Sequence, residues 1–204
     1  MADLATMRIG YPVALTAELP QAVSRFWAIP LLGIVAKGII LIPHLIILYV
    51  LSFVIPIVHL VIWIPVLFGG RYPDWAFTFN AGQIRWYARV SWYVFGLSDE
   101  YPAFSFEAPN DIQIDRPDTS SRVWAIPIVG YVVKLIILIP HFIVLYVLAL
   151  AVVLCQLVIW IQVMLSGQYP SWAYTLNAGF ILWTARISAF FYGLTDEYPP
   201  FSMT

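Results

Sequence analysis

Charged residues are scarce in this sequence. Of its 204 residues, 10 are Lys or Arg and 11 are Asp or Glu, so the net charge is −1 and the charged fraction is 10%. Average soluble domains carry about a quarter charged residues. The sequence therefore offers no basic surface for nucleic acid, and we expect no such partner. Hydrophobic residues make up 62%, and the mean hydropathy is +0.86.

Several features of soluble enzymes and secreted proteins are missing. The single cysteine, Cys155, excludes an intrachain disulfide and a cysteine-cluster metal site. Residues 1–30 lack the apolar core of a secretory signal. The stretches GxxxxGK[ST], GxGxxG, HExxH and GxSxG do not occur. We therefore expect a protein that is not an enzyme, with no catalytic residues, no metal and no cofactor.

Two long apolar runs dominate the chain, at 39–68 and 135–165. The first contains His44 and His59 but no acidic or basic residue beyond them, and the second contains only His141. About 20 apolar residues suffice to span a bilayer, so both runs predict an integral membrane protein.

The chain is a tandem repeat. A shift of 97 positions superposes 24–107 on 121–204 without a gap, and about 48 of the 84 pairs are identical. The predicted organisation is a first membrane unit at 1–107, a hydrophilic linker at 108–120 and a second membrane unit at 121–204. His44 and His141 are the same position in the two copies.

The repeated motifs resemble a known family. The stretches SR.W, IPH, G.YP and DEYP.FS occur in this order in each copy. Together they are similar to the bacterial membrane family called domain of unknown function 4389, and the similarity covers nearly the whole chain. The second copy has GQYP where the first has GRYP, so only the first copy carries the loop arginine, Arg71. The resemblance implies a bacterial inner-membrane architecture and implies no chemistry.

Each copy has a second hydrophobic segment, at 76–97 and 173–194. About 22 residues can span a bilayer, although the polar residues in these segments leave an interfacial position as the alternative. The predicted fold is all-α and integral to the membrane, with two hydrophobic helices per copy and four spans in all. Short interfacial helices such as 27–42 precede the long ones. An even number of spans per copy predicts parallel repeats, related by an axis along the membrane normal.

The basic residues predict the orientation in the cell membrane. Cytoplasmic segments are enriched in Lys and Arg, which places both termini and the linker in the cytoplasm. The arginines assigned to that side are Arg8, Arg25, Arg116 and Arg122, with Lys37 and Lys134 at its boundary, and only Arg71 falls in an opposite turn. Alternation of apolar with polar or small residues at 13–18, 104–107 and 112–115 predicts short strands in a small cytoplasmic β-layer.

Three residue types within the hydrophobic segments are candidate ligand or lipid contacts, and each occurs in both copies. The histidines favour a structural role near a helix start, with haem or pigment ligation as the alternative. The arginines favour a packing role, with a lipid-phosphate site as the alternative. The candidates are His44, His141, Arg89, Arg186, Asn80 and Asn177.

Three functions remain open from the sequence. The leading one is a non-enzymatic accessory, scaffold or lipid-organising subunit, whose partners are membrane lipids and a larger membrane complex or further copies of the chain. The alternatives are a small oligomeric transporter or channel, suggested by the repeat, and a haem- or pigment-binding subunit using His44 and His141.

Overall fold

The fold consists of five α-helices and one two-stranded sheet within the described residues. The computed structural model describes residues 10–15, 20, 22–29, 31–107 and 112–204. The elements in chain order are β1 Val13–Leu15, a single 3-10 turn Phe26–Ala28, α1 Leu32–Ile40, α2 Ile42–Gly69, α3 Asp74–Val94, β2 Ile112–Ile114, α4 Val129–Ser166 and α5 Ser171–Phe191.

The long helices α2 and α4 form from the two apolar runs and end alike. Gly70 and Gly167 follow them in the left-handed conformation, with φ of 67° and 73°, which glycine adopts without a Cβ penalty. Pro73 and Pro170 then hold the backbone extended before α3 and α5 begin. Both α2 and α4 are long and apolar enough to cross a membrane by length and composition.

The helices α3 and α5 pack against each other in antiparallel directions. The Tyr72 hydroxyl, just before α3, donates to the main-chain oxygen of Tyr192 just after α5, at 2.9 Å. The reciprocal bond runs from the Tyr169 hydroxyl to the oxygen of Phe95, at 3.0 Å. Tyr72 and Tyr169 are equivalent positions in the repeat, so the two copies are related by a local two-fold axis perpendicular to α3 and α5.

The small sheet lies on this helix pair. The strands β1 and β2 are antiparallel, with Val13 opposite Ile114 and Leu15 opposite Ile112. All four side chains are buried. The sheet contacts α3 and α5, whereas no described residue pair brings its backbone close to α2 or α4. The molecule therefore has three layers: the sheet, the α3–α5 pair, and the outer helices α2 and α4.

The predicted four-span topology is not confirmed. It placed the linker on one side of the bilayer and the turns after α2 and α4 on the other. In the structure the Ser120 amide donates to the Gly70 carbonyl at 2.9 Å, and the Val23 amide donates to the Gly167 carbonyl at 3.2 Å. Segments in hydrogen-bond contact cannot lie on opposite faces of a hydrocarbon layer about 30 Å thick.

The boundaries of all five predicted helical segments differ from the observed ones. The first long helix, predicted at 39–68, is α2 at Ile42–Gly69, and the interfacial helix predicted at 27–42 is the shorter α1 at Leu32–Ile40. The second long helix, predicted at 135–165, begins earlier at Val129 without a break. The second segments were predicted at 76–97 and 173–194, and both helices begin two residues sooner and end three sooner.

The predicted β-layer exists as a smaller sheet than the alternation indicated. The segment 104–107 forms bends instead of a strand, because Phe104 and Phe106 turn towards the helices. Within 13–18, residues 16–18 lie outside the described residues, as do Arg8 and residues 108–111 of the linker. The linker also contains β2, so part of it belongs to the sheet.

Candidate functional site

Each repeated histidine lies inside an aromatic cluster of its own copy. His44 is fully buried near the start of α2, where its Nδ1 accepts a hydrogen bond from the Trp86 indole at 2.8 Å. Phe104 stacks on the imidazole with ring centroids 3.8 Å apart and planes 9° apart. Tyr101 lies against the same ring at 4.9 Å.

The second copy repeats this cluster almost atom for atom. The Trp183 indole donates to Nδ1 of His141 at 3.0 Å, and Phe201 stacks on the ring at 3.8 Å. Tyr198 takes the place of Tyr101, at 5.0 Å. The two histidines therefore lie in two separate clusters and do not face each other across one site.

The packing of the histidines favours their structural role. An axial ligand of a haem iron needs a free ring nitrogen and room for the macrocycle beside it. Nε2 of His44 and of His141 is buried. The Trp indoles occupy Nδ1, protein atoms enclose Nε2, and Phe104 and Phe201 stack on the rings, which together favour the structural role.

Two buried lysines, which the sequence interpretation treated only as topology markers, hold α1 to the end of α3 and α4 to the end of α5. Nζ of Lys37 donates to the oxygen of Tyr93 at 2.7 Å, and Nζ of Lys134 donates to the oxygen of Phe190 at 2.8 Å. Both ammonium groups also lie over aromatic rings. Burial lowers the pKa of Lys37 from 10.5 to about 8, and the charge of Asp99 opposes part of that shift.

The candidate arginines bind main-chain oxygens. Arg186 is fully buried in α5, and its guanidinium donates to Val13 at 3.2 Å and to Thr204 at 2.9 Å. It thereby ties α5 to the sheet. In the first copy the Arg89 guanidinium donates to the oxygen of Ser105. Both arginines thus hold the chain that folds back over their own helix, which is the packing role.

The carboxylates that follow α3 and α5 bind main-chain amides. The Asp99 carboxylate accepts the main-chain amide of Ser24 at 2.6 Å, and the Asp196 carboxylate accepts that of Ser121, also at 2.6 Å. These two bonds connect the beginning of the first copy to the segment after α3, and the beginning of the second copy to the segment after α5.

The candidate asparagines support the contact between the copies. Nδ2 of Asn80 donates to the Tyr72 hydroxyl at 2.7 Å, and Nδ2 of Asn177 donates to the Tyr169 hydroxyl at 2.5 Å. Each asparagine is fully buried. Because each tyrosine donates onward to the other copy, the asparagine orients the hydroxyl that joins the two repeats.

A small cavity lies where the two copies meet. Its volume is about 40 Å³, enough for a few water molecules. Polar side chains in its wall include His59, Ser120, Tyr131 and Lys134. Among the described residues no group of three or more His, Cys, Asp or Glu side chains is arranged to hold a metal ion.

Each of the six candidates contacts a main-chain oxygen or an aromatic side chain, and the six do not lie together in one site. The missed residues are their partners, chiefly Trp86 with Trp183, Tyr72 with Tyr169, and the two lysines. Identity between the copies marks all of these positions. That signal was available in the sequence, but it does not show which residues contact each other.

Comparison with known proteins gives a family and no function. No curated protein and no solved structure matches the chain. The profile of the family described as "Domain of unknown function (DUF4389)" matches residues 32–105 and again 129–203, which together make up well over half of the chain. The chain therefore belongs to the DUF4389 family and contains two tandem copies of its domain.

Proposed function

We propose that this protein is a membrane-embedded, non-catalytic subunit that organises lipid around itself. The observation that carries the proposal is the surface of α2 and α4. The most apolar windows of these helices have mean hydropathies of 2.8 and 3.0, yet only 22% and 17% of them are buried in the protein. Contiguous exposed apolar patches larger than a few hundred Å² are rare on soluble monomers.

The shape of the contact supports lipid as the neighbour. The buried positions of α2 include His44, Leu48, Ile55, Ile62 and Val66, which recur every three to four or seven residues and form one narrow stripe. The rest of the helix circumference is exposed and apolar. A single protein partner usually covers one face, whereas acyl chains surround a helix on every side that the protein leaves open.

The use of the repeated polar groups supports a non-catalytic role. The arginines, lysines and asparagines described above donate to oxygens of the fold itself, and the histidine Nδ1 atoms accept from indoles. Catalysis by acid and base requires titratable groups that reach a common substrate position. The repeated groups reach one another and the main chain instead.

The test is a charge placed on the exposed apolar face. Leu60 is 66% exposed on α2. An Arg at the centre of a membrane helix costs about 2.5–3.5 kcal/mol on insertion scales, whereas a surface substitution on a soluble protein stays within about 0.5 kcal/mol. We expect Leu60→Arg to reduce the fraction of protein that resists carbonate extraction from membranes, and the matched variant Asp118→Arg to leave it unchanged.

Co-purification identifies the lipid. The wild-type protein in mild detergent is expected to retain phospholipid in native mass spectra, and Leu60→Arg is expected to retain less. The proposed function would be contradicted if carbonate extracted the wild-type protein from membranes and if the protein failed to float with liposomes in a density gradient.

A further inference from the structure

Two main-chain contacts between the copies constrain how the protein lies in a bilayer. Ser120 contacts Gly70, and Val23 contacts Gly167, so the start of each copy lies beside the turn that follows the other copy's long helix. The start of a copy and the turn of a copy are therefore on the same side of the molecule. A helix that leaves one side of a membrane and turns on the other cannot make these contacts.

The two-fold axis passes through the sheet and through the α3–α5 pair. Leu15 and Ile112 are equivalent positions in the repeat and stand opposite each other in the ladder. In a pair of antiparallel strands, a local two-fold axis passes midway between residues that stand opposite each other, so the axis passes through this sheet. The contacts between Tyr72 and Tyr192, and between Tyr169 and Phe95, place the same relation at the centre of the helix pair.

Only one orientation of this axis suits a bilayer. Both copies expose the same apolar helix surface, so the membrane must treat them alike, with the axis either in the membrane plane or along the normal. An axis in the plane would put the sheet at mid-depth. The exposed side chains beside it, Gln113, Arg116 and Asp118, would then face hydrocarbon. Exposed irregular backbone and charge do not occur there, so the axis lies along the normal.

With the axis along the normal, equivalent residues lie at equal depth, and α3 must lie flat. The Tyr72 hydroxyl touches the oxygen of Tyr192, whose equivalent in the first copy is Phe95. Tyr72 and Phe95 flank α3 on its two ends. They are at the same depth, so α3 runs parallel to the membrane surface, and α5 does the same by symmetry.

The long helix of the first copy, α2, also begins and ends at one depth. A Cβ at Gly193 would lie 3.5 Å from Nζ of Lys134 and 3.5 Å from the Tyr72 ring, so these two groups are neighbours. The equivalent of Lys134 is Lys37, in α1. Lys37 therefore lies at the depth of Tyr72, and the chain between them, which is α2, begins and ends at one depth.

We propose that the protein inserts into a single leaflet, with its sheet in the headgroup region and α2 and α4 lying in the acyl chains parallel to the membrane plane. The inference rests on the proposed function, since it needs a membrane-embedded chain, and it names the surface that the chain fits: one leaflet of a lipid bilayer.

The dimensions fit one leaflet. The helices α2 and α4 pack against α3 and α5, and the axes of packed helices lie about 8–10 Å apart, so the four helix axes differ in depth by at most about 10 Å. Half of a hydrocarbon core about 30 Å thick accommodates this depth. The length of α4, about 57 Å for 38 residues at about 1.5 Å each, is nearly twice the thickness of that core. The aromatic and Arg-bearing α3 and α5 occupy the interface, where such residues are enriched.

Cysteine labelling tests the inference directly. In a Cys155→Ala background, single cysteines are placed at Arg71 in the turn after α2, at Asp118 in the linker, and at Leu60 on the exposed face of α2. A membrane-impermeant maleimide is added to spheroplasts and to inverted vesicles, and the labelled membranes are then washed with carbonate.

Single-leaflet insertion predicts that positions 71 and 118 react in the same preparation and that position 60 reacts only after detergent is added. Reaction of 71 in one preparation and 118 in the other would overturn the inference and leave the proposed function standing. Loss of the protein in the carbonate wash would overturn both.

Discussion

Replacing His44 by alanine separates a structural histidine from a cofactor ligand. The imidazole is fully buried, stacked on Phe104 and hydrogen-bonded to the Trp86 indole. A buried N–H without an acceptor costs about 1–3 kcal/mol. Removing a large buried side chain costs about 2–5 kcal/mol through lost contacts and the cavity left behind. Since these terms overlap, we expect His44→Ala to lower the free energy of unfolding by about 3–5 kcal/mol.

The assay is denaturant unfolding in mild detergent, followed by tryptophan fluorescence. The matched variant His44→Gln retains an acceptor oxygen for Trp86 and is expected to lose less stability than His44→Ala. In a double-mutant cycle with Trp86→Phe, the two losses should be non-additive by about 1–3 kcal/mol, because both changes break one bond. His141→Ala, in the matching cluster, should behave like His44→Ala.

Unchanged stability of His44→Ala would refute this account of the histidine. A visible absorbance band in the wild-type protein that disappears in His44→Ala, with unfolding unaffected, would show instead that the ring holds a cofactor.

Three further predictions follow from the packing. The pKa of Lys37 in the fold is about 8, below its ordinary 10.5, so the unfolded chain binds more protons between these two values. The free energy of unfolding therefore rises with pH in this range, by about 3 kcal/mol. Lys37→Met should remove this rise, seen as a smaller difference in the free energy of unfolding between about pH 7 and pH 10. A Cβ at Gly33 would overlap the Trp27 carbonyl, so Gly33→Ala should reduce thermal stability, whereas Gly38→Ala, with open space around it, should not. Tyr72→Phe removes the bond to the main chain after α5 and leaves the buried Asn80 amide without its acceptor, so it should lower the free energy of unfolding by about 1–3 kcal/mol, measured in the same denaturation.

The helices themselves follow from local features of the sequence. Apolar runs, the glycines that end them and the Tyr-Pro stretches that follow are short-range signals, and the repeat doubles each one. The sheet was also predictable in part, because alternation at 112–115 reports a strand with one buried face. Each of these conclusions depends on residues that are close in the chain.

The topology was not predictable in the same way. Counting hydrophobic segments assumes that every long apolar helix crosses the membrane, and the basic residues are then assigned to sides. The contacts that argue against this, such as Ser120 with Gly70, join residues 50 positions apart through main-chain atoms, which leave no mark in the side-chain pattern. Arg25 and Arg122 are examples: Arg25 lies beside Gly167 and Arg122 lies beside Gly70, although the sequence prediction placed these arginines and these turns on opposite sides of the membrane.

The candidate site shows a similar division. The sequence identified the repeated histidines, arginines and asparagines because they are unusual in apolar segments. It did not reveal that the indole of Trp86, which is 42 residues after His44 in the chain, donates a hydrogen bond to the imidazole. Position in the chain gives no distance between helices, so the choice between a ligand and a packed side chain needed the fold.

A depth profile along α2 is the most direct test of lipid-embedded, single-leaflet insertion. Spin labels at Ile46, Phe53, Leu60 and Ile64 all project from the exposed face of the helix. Oxygen and a water-soluble nickel complex then report the depth of each label in liposomes. In-plane insertion predicts that all four labels lie in the hydrocarbon at similar depth. A helix that crosses the bilayer would change depth by about 27 Å between the first and last label, at about 1.5 Å per residue, with the deepest labels in the middle. That profile would contradict the in-plane arrangement.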